Sequence, residues 1–317
     1  MTFEFFKTRG VFYRCTLIFI LLVAFSFLAS GCSMVSNAKK GTKKIVRNFK
    51  SSDGKLSKKI GIALFEDAAN LADRNYALSI QTGLATALRE ECPQFRLLRQ
   101  GHKGYPVELS GFPKMADGKV DILDLIAKGR KYGFEAIVDG RLMDIGSTEK
   151  KNGILWFKDT TRFLQVHILV EVYDMETGAK LLDETFSHKI EIDAMDALDS
   201  VKKAYAPAIS AAVEEILPIM GDKICDIISA SAWHGFVSST DGAKITLSAG
   251  EQAGLKVGDE LALFSGAETI KGAGGQQFMI PGIKSGKIRI TTVFPETSEA
   301  ILVNGDAVKK GDVVRAR

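Results

Sequence analysis

The sequence predicts an α+β protein, in which a mixed-sheet α/β domain over residues 59–230 is followed by a small β-barrel over residues 232–317. Three patterns lead to this prediction. Strand-like apolar runs alternate with amphipathic helical segments, two long strands then meet at a Gly-containing turn, and the last third consists of short strands separated by Gly turns. A length of 317 residues with 46% apolar and 25% charged side chains suits a globular chain of one or two domains.

The chain opens with a basic stretch and the apolar run 17–28, followed by Ala29-Ser30-Gly31-Cys32. This order resembles the signal peptide and lipobox of bacterial lipoproteins. The resemblance implies a signal peptide over residues 1–31, cleavage before Cys32, and acylation of Cys32 by fatty acids such as palmitate. Ser33 follows in place of the Asp that retains such proteins at the inner membrane, which implies the periplasmic face of the outer membrane. An uncleaved N-terminal anchor is the alternative.

The formal charge of +4 is unevenly distributed. Residues 33–59 carry a net +8, whereas residues 60–317 carry a net −6. After the lipidated cysteine, residues 32–58 are therefore expected to form a flexible basic tether that contacts anionic lipid or another anionic envelope polymer, or that serves as a plain spacer. The acidic body argues against binding of nucleic acid.

The α/β domain begins with a strand over 59–65 and a helix from about Arg74, which ends at Cys92-Pro93 because Pro disfavours helix in the residue before it. A strand over 95–99, a loop over 100–118, a helix over 119–131 and, over 133–142, a loop into the third strand follow. These elements alternate as expected of an α/β sheet.

Alternating apolar residues over 166–172 predict a half-buried strand, and residues 174–178 predict a turn into an antiparallel strand over 180–191. The helical region 199–230 contains Pro207 and Pro218, which are expected to kink or split it.

This series of elements, with Ala136-Ile137-Val138-Asp139-Gly140 in the third strand and Glu176-Thr177-Gly178 in the turn, resembles the TolB N-terminal and CsgG-like lipoprotein fold. The resemblance implies a binding or assembly module and no enzyme activity.

One departure from that fold lies in residues 145–162, where pore-forming members insert a long amphipathic hairpin. Each spanning strand needs about 9–11 residues of alternating character. This segment contains Lys-Lys-Asn-Gly and one apolar cluster, Ile154-Leu155-Trp156-Phe157, so two spanning strands do not fit. The cluster is expected to be either a core strand or an edge that binds a partner.

The barrel domain contains strand-like segments and two matching turns, Leu255-Lys256-Val257-Gly258-Asp259 and Val308-Lys309-Lys310-Gly311-Asp312. In each turn Gly can take a positive φ and Asp can bond to the turn backbone. The five strand-like segments lie at 235–239, 244–247, 259–264, 287–290 and 298–303. The domain resembles the SH3-like C-terminal domain of FlgT, of the flagellar H-ring assembly family, which implies binding to proteins or packing in a homo-oligomeric ring.

No motif predicts catalysis, a metal or a cofactor. The four histidines, His102, His167, His188 and His234, have no His or Cys at metal-ligand spacing. Residues 272–275 lack a nucleotide-binding pattern. Asp193, Asp196 and Asp199 are spaced by three, which fits a solvated helix start better than a calcium loop.

Cys92 and Cys225 are the cysteines that follow Cys32. In an oxidising compartment they either pair and close a loop of about 130 residues or remain two separate buried thiols.

These patterns predict a non-enzymatic periplasmic lipoprotein that acts as an envelope assembly or scaffold component, with flagellar basal-body association as the specific hypothesis. Two alternatives stay open: a regulator of peptidoglycan synthesis that binds a penicillin-binding protein, and a CsgG-like secretion channel component.

Overall fold

The computed structural model describes residues 56–69, 76–154, 157–192, 205–273 and 275–316, which belong to one structural unit. It consists mainly of strands, with three helices, a mixed sheet and a closed six-stranded barrel, and is therefore of the predicted α+β class. Cys32 and most of the basic tether lie outside the described residues.

The strands of the mixed sheet are β1 (Lys59–Ile62), β2 (Glu66–Asp67), β3 (Arg96–Arg99), β4 (Ala136–Ile154), β5 (Phe157–Asp174) and β6 (Lys180–Ile192). Their order in the sheet is β3-β1-β4-β5-β6, and the short β2 adds to β4. Strands β1, β3 and β4 run parallel, whereas β4, β5 and β6 are antiparallel neighbours.

Three helices cover the two faces of the sheet. Helices α1 (Tyr76–Glu91) and α3 (Ala206–Ser229) pack on the face that includes Val138, and α2 (Ile122–Lys131) packs on the face that includes Ile137. The alternation of side chains along a strand explains why two neighbouring β4 residues belong to different cores.

Helix α2 begins at Ile122, later than the predicted residue 119, because Asp121 caps it by accepting a hydrogen bond from the Asp124 amide at 3.1 Å. It ends in a Schellman motif at Gly133, whose φ is +71°. The Phe134 amide donates to the Gly129 carbonyl at 3.0 Å, and the Gly133 amide donates to the Arg130 carbonyl at 3.1 Å.

The β4–β5 hairpin is longer than predicted. The third strand was expected to end near residue 142, but β4 pairs with β5 without a break in strand structure up to Ile154 opposite Phe157. Residues 146–153 contain no large apolar side chain. The alternation of apolar and polar residues that indicates a strand in a sequence is therefore absent there, although the backbone pairing continues.

Helix α3 is continuous across Pro207 and Pro218. The two prolines were expected to kink or split the helix, and a split does not occur. Pro207 occupies the first turn, where no intrahelical amide bond is lost, and Pro218 lies inside a helix of 24 residues. Eleven buried residues of α3 pack into the unit, and this packing holds the helix together despite the missing bond at Pro218. Within the described residues, no helix is both long and apolar enough to cross a membrane.

The barrel strands are β7 (His234–Asp241), β8 (Lys244–Leu247), β9 (Glu260–Ser265), β12 (Ile283–Val293), β13 (Ser298–Gly305) and β14 (Val313–Arg315). The barrel closes in the order β12-β13-β8-β7-β14-β9. Five of these strands coincide with the predicted segments, whereas β14 was not predicted. A two-stranded hairpin between β9 and β12, formed by β10 (Glu268–Lys271) and β11 (Gln277–Ile280), was not predicted either.

The two matching turns of the barrel have the same geometry, as their sequences predict. Gly258 and Gly311 have φ of 93° and 90°. Asp259 accepts a hydrogen bond from the Lys256 amide, and Asp312 accepts one from the Lys309 amide, both at 2.8 Å.

Candidate functional site

Cys92, just after α1, and Cys225, in α3, form a disulfide with a Cα–Cα distance of 5.9 Å. Both residues are fully buried in the core beneath the sheet. The bond joins the two helices that cover one sheet face.

Two residues of the predicted apolar cluster fall within the described β4–β5 hairpin. Ile154 and Phe157 form the last pair of the ladder, whereas Leu155 and Trp156 lie outside the described residues. Ile154 and Phe157 are thus at the end of the longest pair of strands in the described part of the chain.

A polar seam joins the sheet to the barrel at the edge where β1 and β4 begin. Lys58 is buried there, and its Nζ donates to the carbonyls of Ile228 and Ser231 at 2.8 Å each. A cation at the last carbonyls of a helix is favoured by hydrogen bonding and by the helix dipole. Lys58 therefore caps α3.

Glu135 and His234 form the centre of this seam. The Glu135 Oε2 atom lies 3.9 Å from Lys58 Nζ and 3.5 Å from His234 Nδ1, and it accepts the His234 backbone N–H at 3.2 Å. Burial raises the pKa of Glu135 to about 8, and the nearby Lys58 opposes this rise. Burial lowers the pKa of His234, against the attraction of Glu176 and Asp174. The two side chains are therefore held mostly neutral near pH 7.

Arg130 of α2 donates to three backbone carbonyls across the same seam, two in the turn between β5 and β6 and one in the barrel. Its Nε donates to the Met175 carbonyl at 2.9 Å, its Nη1 donates to the Gly311 carbonyl of the barrel at 3.1 Å, and its Nη2 donates to the Glu176 carbonyl. Its guanidinium lies over the Phe236 ring at 5.2 Å from the centroid. Because it is buried and bonds to both modules, Arg130 fixes their relative position.

A groove of about 760 Å³ lies between α2, the barrel and the β10–β11 hairpin. Such a volume is within the range of ligand sites, which is ~300–1,000 Å³. Its apolar lining comes from three elements: Leu123, Ile126 and Ala127 of α2, Val237 of β7 and Met279 of β11. The hairpin is held in place by a 2.9 Å bond from the Met279 amide to the Thr177 carbonyl.

The charged lining of the groove is entirely cationic. Lys128, Arg130, Lys131 and Lys310 line it, and no Asp or Glu is among its described lining residues. Lys128 and Lys131 form ion pairs with Asp124 and Glu108 outside the groove, each at 2.8 Å. The cationic lining contrasts with the net −6 of residues 60–317.

A half-buried acidic pair lies farther along the α2-covered sheet face, where Asp139 is opposite Glu171. Burial raises the pKa of Asp139 to about 6. Glu171 accepts a hydrogen bond from the Tyr173 hydroxyl at 3.1 Å and pairs with Lys180. In the described part of the chain, no group of three or more His, Cys, Asp or Glu residues is arranged to hold a metal ion.

Glu135, Arg130 and the groove were not predicted from the sequence. One local signal existed, because the Gly-Phe-Glu run that follows α2 puts a carboxylate directly before an apolar strand. The groove had no local signal, since its lining combines α2 with barrel and hairpin residues that lie more than 100 positions later in sequence.

No protein-family model and no curated protein match this chain. Among solved structures, a hypothetical protein from Chlamydia trachomatis is similar at a TM-score of 0.36 and 8% identity, covering 55% of this chain and 99% of its own. A lipoprotein from Neisseria meningitidis has a TM-score of 0.30 and 13% identity, covering 50% and 99%. The PelC dodecamer from Paraburkholderia phytofirmans has a TM-score of 0.28 and 12% identity, covering 55% and 89%. At these scores the likeness is too distant to assign a function.

Proposed function

We propose that this protein is a non-enzymatic lipoprotein of the bacterial envelope, anchored through Cys32 to the periplasmic face of the outer membrane, where it binds envelope proteins as an assembly or scaffold component. Flagellar basal-body association is the specific form of the proposal. The observation that supports binding most directly is the apolar groove with its cationic lining.

Both modules contribute to that groove, and the buried Arg130 fixes them to each other. A preformed apolar groove with polar groups around it is a common binding site for a segment of a partner protein. The Cys92–Cys225 disulfide agrees with a location outside the cytoplasm, since disulfides persist in oxidising compartments.

The binding role can be tested with a photo-crosslinking amino acid at Ala127, in the groove, in intact cells. The matched control carries the same amino acid at Val107, which is 86% exposed and does not line the groove. We expect an envelope protein, either a different protein or a second copy of this chain, to crosslink at position 127 and not at 107. Basal-body proteins would support the flagellar form, a penicillin-binding protein would favour the alternative, and equal labelling at both positions would contradict the proposal.

The anchor is tested separately. Cys32→Ala should abolish incorporation of labelled palmitate and release the protein from the outer-membrane fraction, because three acyl chains supply the membrane affinity at ~0.8 kcal/mol per buried CH₂. Persistent labelling of the variant would show that Cys32 is not the acceptor.

A further inference from the structure

We propose that the groove binds residues 193–199 of a second copy of this chain, so that copies associate head to tail. This inference rests on the proposed function only in that the groove binds a protein segment. It adds the identity of that segment.

Charge favours this occupant. Residues 193–199 contain Asp193, Asp196 and Asp199 and no basic residue, with Met195 and Leu198 between the carboxylates. The chain's other long segment outside the described residues, the tether, is strongly basic and would be repelled by the cationic lining. The acidic segment therefore complements the groove in both charge and apolar character.

The cations are distributed along the groove and do not converge on one point. Lys128 and Lys131 lie about one turn apart on α2, and Lys310 lies in a turn of the barrel. This spacing suits several carboxylates along a peptide better than the single headgroup of an anionic lipid.

The segment cannot reach the groove of its own copy. Gly178, just before β6, lies against the groove wall, since a Cβ there would be 2.8 Å from the Ile126 Cδ1 atom. From there β6 runs 13 residues to Ile192, which is about 40 Å at ~3.3 Å per residue.

The chain must also return to Tyr205 at the start of α3. The C-terminal end of α3 is at the seam, where Lys58 caps it. Because α3 has 24 residues, Tyr205 at its other end lies about 36 Å from the seam. The 12 residues between Ile192 and Tyr205 span at most about 40 Å. They are too short to extend from Ile192 to the groove and back to Tyr205. Binding in the groove must therefore occur between copies.

Groove and segment are different surfaces of the chain, so their interface is heterologous. Such interfaces build a ring where the rotation closes, and a filament where it does not. A ring-forming envelope component would be built in this way from one repeated contact.

The test measures self-association of the full chain, purified in detergent, by sedimentation velocity, together with binding of a fluorescent peptide of residues 192–200. Lys131→Glu with Lys310→Glu should weaken both at least tenfold, and added salt should do the same because the pairs are exposed. Lys309→Glu is the matched control, because it makes the same charge change next to the groove and outside its lining.

The decisive variant replaces Asp193, Asp196 and Asp199 by Lys. It should lose self-association, and combining it with the Lys131→Glu, Lys310→Glu pair should restore association. A chain that stays monomeric at all concentrations and does not bind the peptide would overturn the inference. If the Asp variants associate normally while position 127 still crosslinks to a different envelope protein, the self-contact is wrong and the proposed function stands.

Discussion

Glu135 lies in unusual surroundings for a carboxyl group. It is 3% exposed and is faced by Lys58 and His234, with Asp174 and Glu176 also nearby. A carboxyl in such a site keeps its proton well above the usual pH, because the charged form is poorly solvated there.

Because Glu135 is buried, we expect the free energy of unfolding to fall as the pH rises. The folded-state pKa of Glu135 is about 8, above the ordinary 4.5, so its stabilising contribution is complete below pH 4.5 and is lost as the pH approaches and passes 8. Glu135→Gln removes this titration, so the unfolding free energy of the wild type should decrease relative to the variant by about 3–4 kcal/mol between pH 5 and 8.5. Urea denaturation of both proteins at several pH values measures this difference in unfolding free energy.

The exposed Glu251 provides the control. Glu251→Gln should leave the pH profile of stability unchanged. A Glu135→Gln profile parallel to that of the wild type would show that Glu135 ionises normally in the folded protein.

At the scale of single elements, the end of α2 determines how closely the barrel approaches. Gly133 has a positive φ of +71°, and a Cβ there would overlap the Ser248 carbonyl oxygen of the barrel. Glycine is thus required at this position both for the backbone conformation and for the close contact.

Gly133→Ala should therefore lower the unfolding free energy by about 3 kcal/mol or more, through backbone strain and displacement of Ser248. Gly118→Ala is the matched control, since Gly118 has a φ of +82° and no atom within 4 Å of the added Cβ. It should cost only about 1–2 kcal/mol. Equal losses in the two variants, measured by chemical denaturation, would mean that contact with the barrel has no effect.

The Cys92–Cys225 disulfide leads to a second prediction at the scale of single elements. The disulfide joins residues 133 positions apart, so replacing Cys92 and Cys225 by Ala should cost about 5 kcal/mol in the chain-entropy model. Mass mapping of the mature protein without reductant should find one peptide pair joined through these cysteines. Two free thiols would refute the bond.

At the scale of the whole molecule, the sheet and the barrel should unfold together. Phe236 and Val313 of the barrel belong to the same core cluster as Phe134 and Ile137 of the sheet module, and Arg130 bonds across the seam. Calorimetry should show a single transition whose van't Hoff and calorimetric enthalpies agree. Two resolved transitions would show that the modules are independently stable, with the seam contributing little.

The sequence by itself determined the α+β class, five of the six barrel strands, the β5–β6 hairpin and the two matching turns at Gly258 and Gly311. These features depend on local period, turn residues and positive-φ glycines, which a short window of sequence contains. The tertiary structure alone decided the disulfide, the full length of β4, the polar seam around Glu135 and Arg130, and the groove. Each of these depends on contacts between residues far apart in sequence: β4 continues through polar residues because β5 pairs with it, and Glu135 is buried because the barrel covers it.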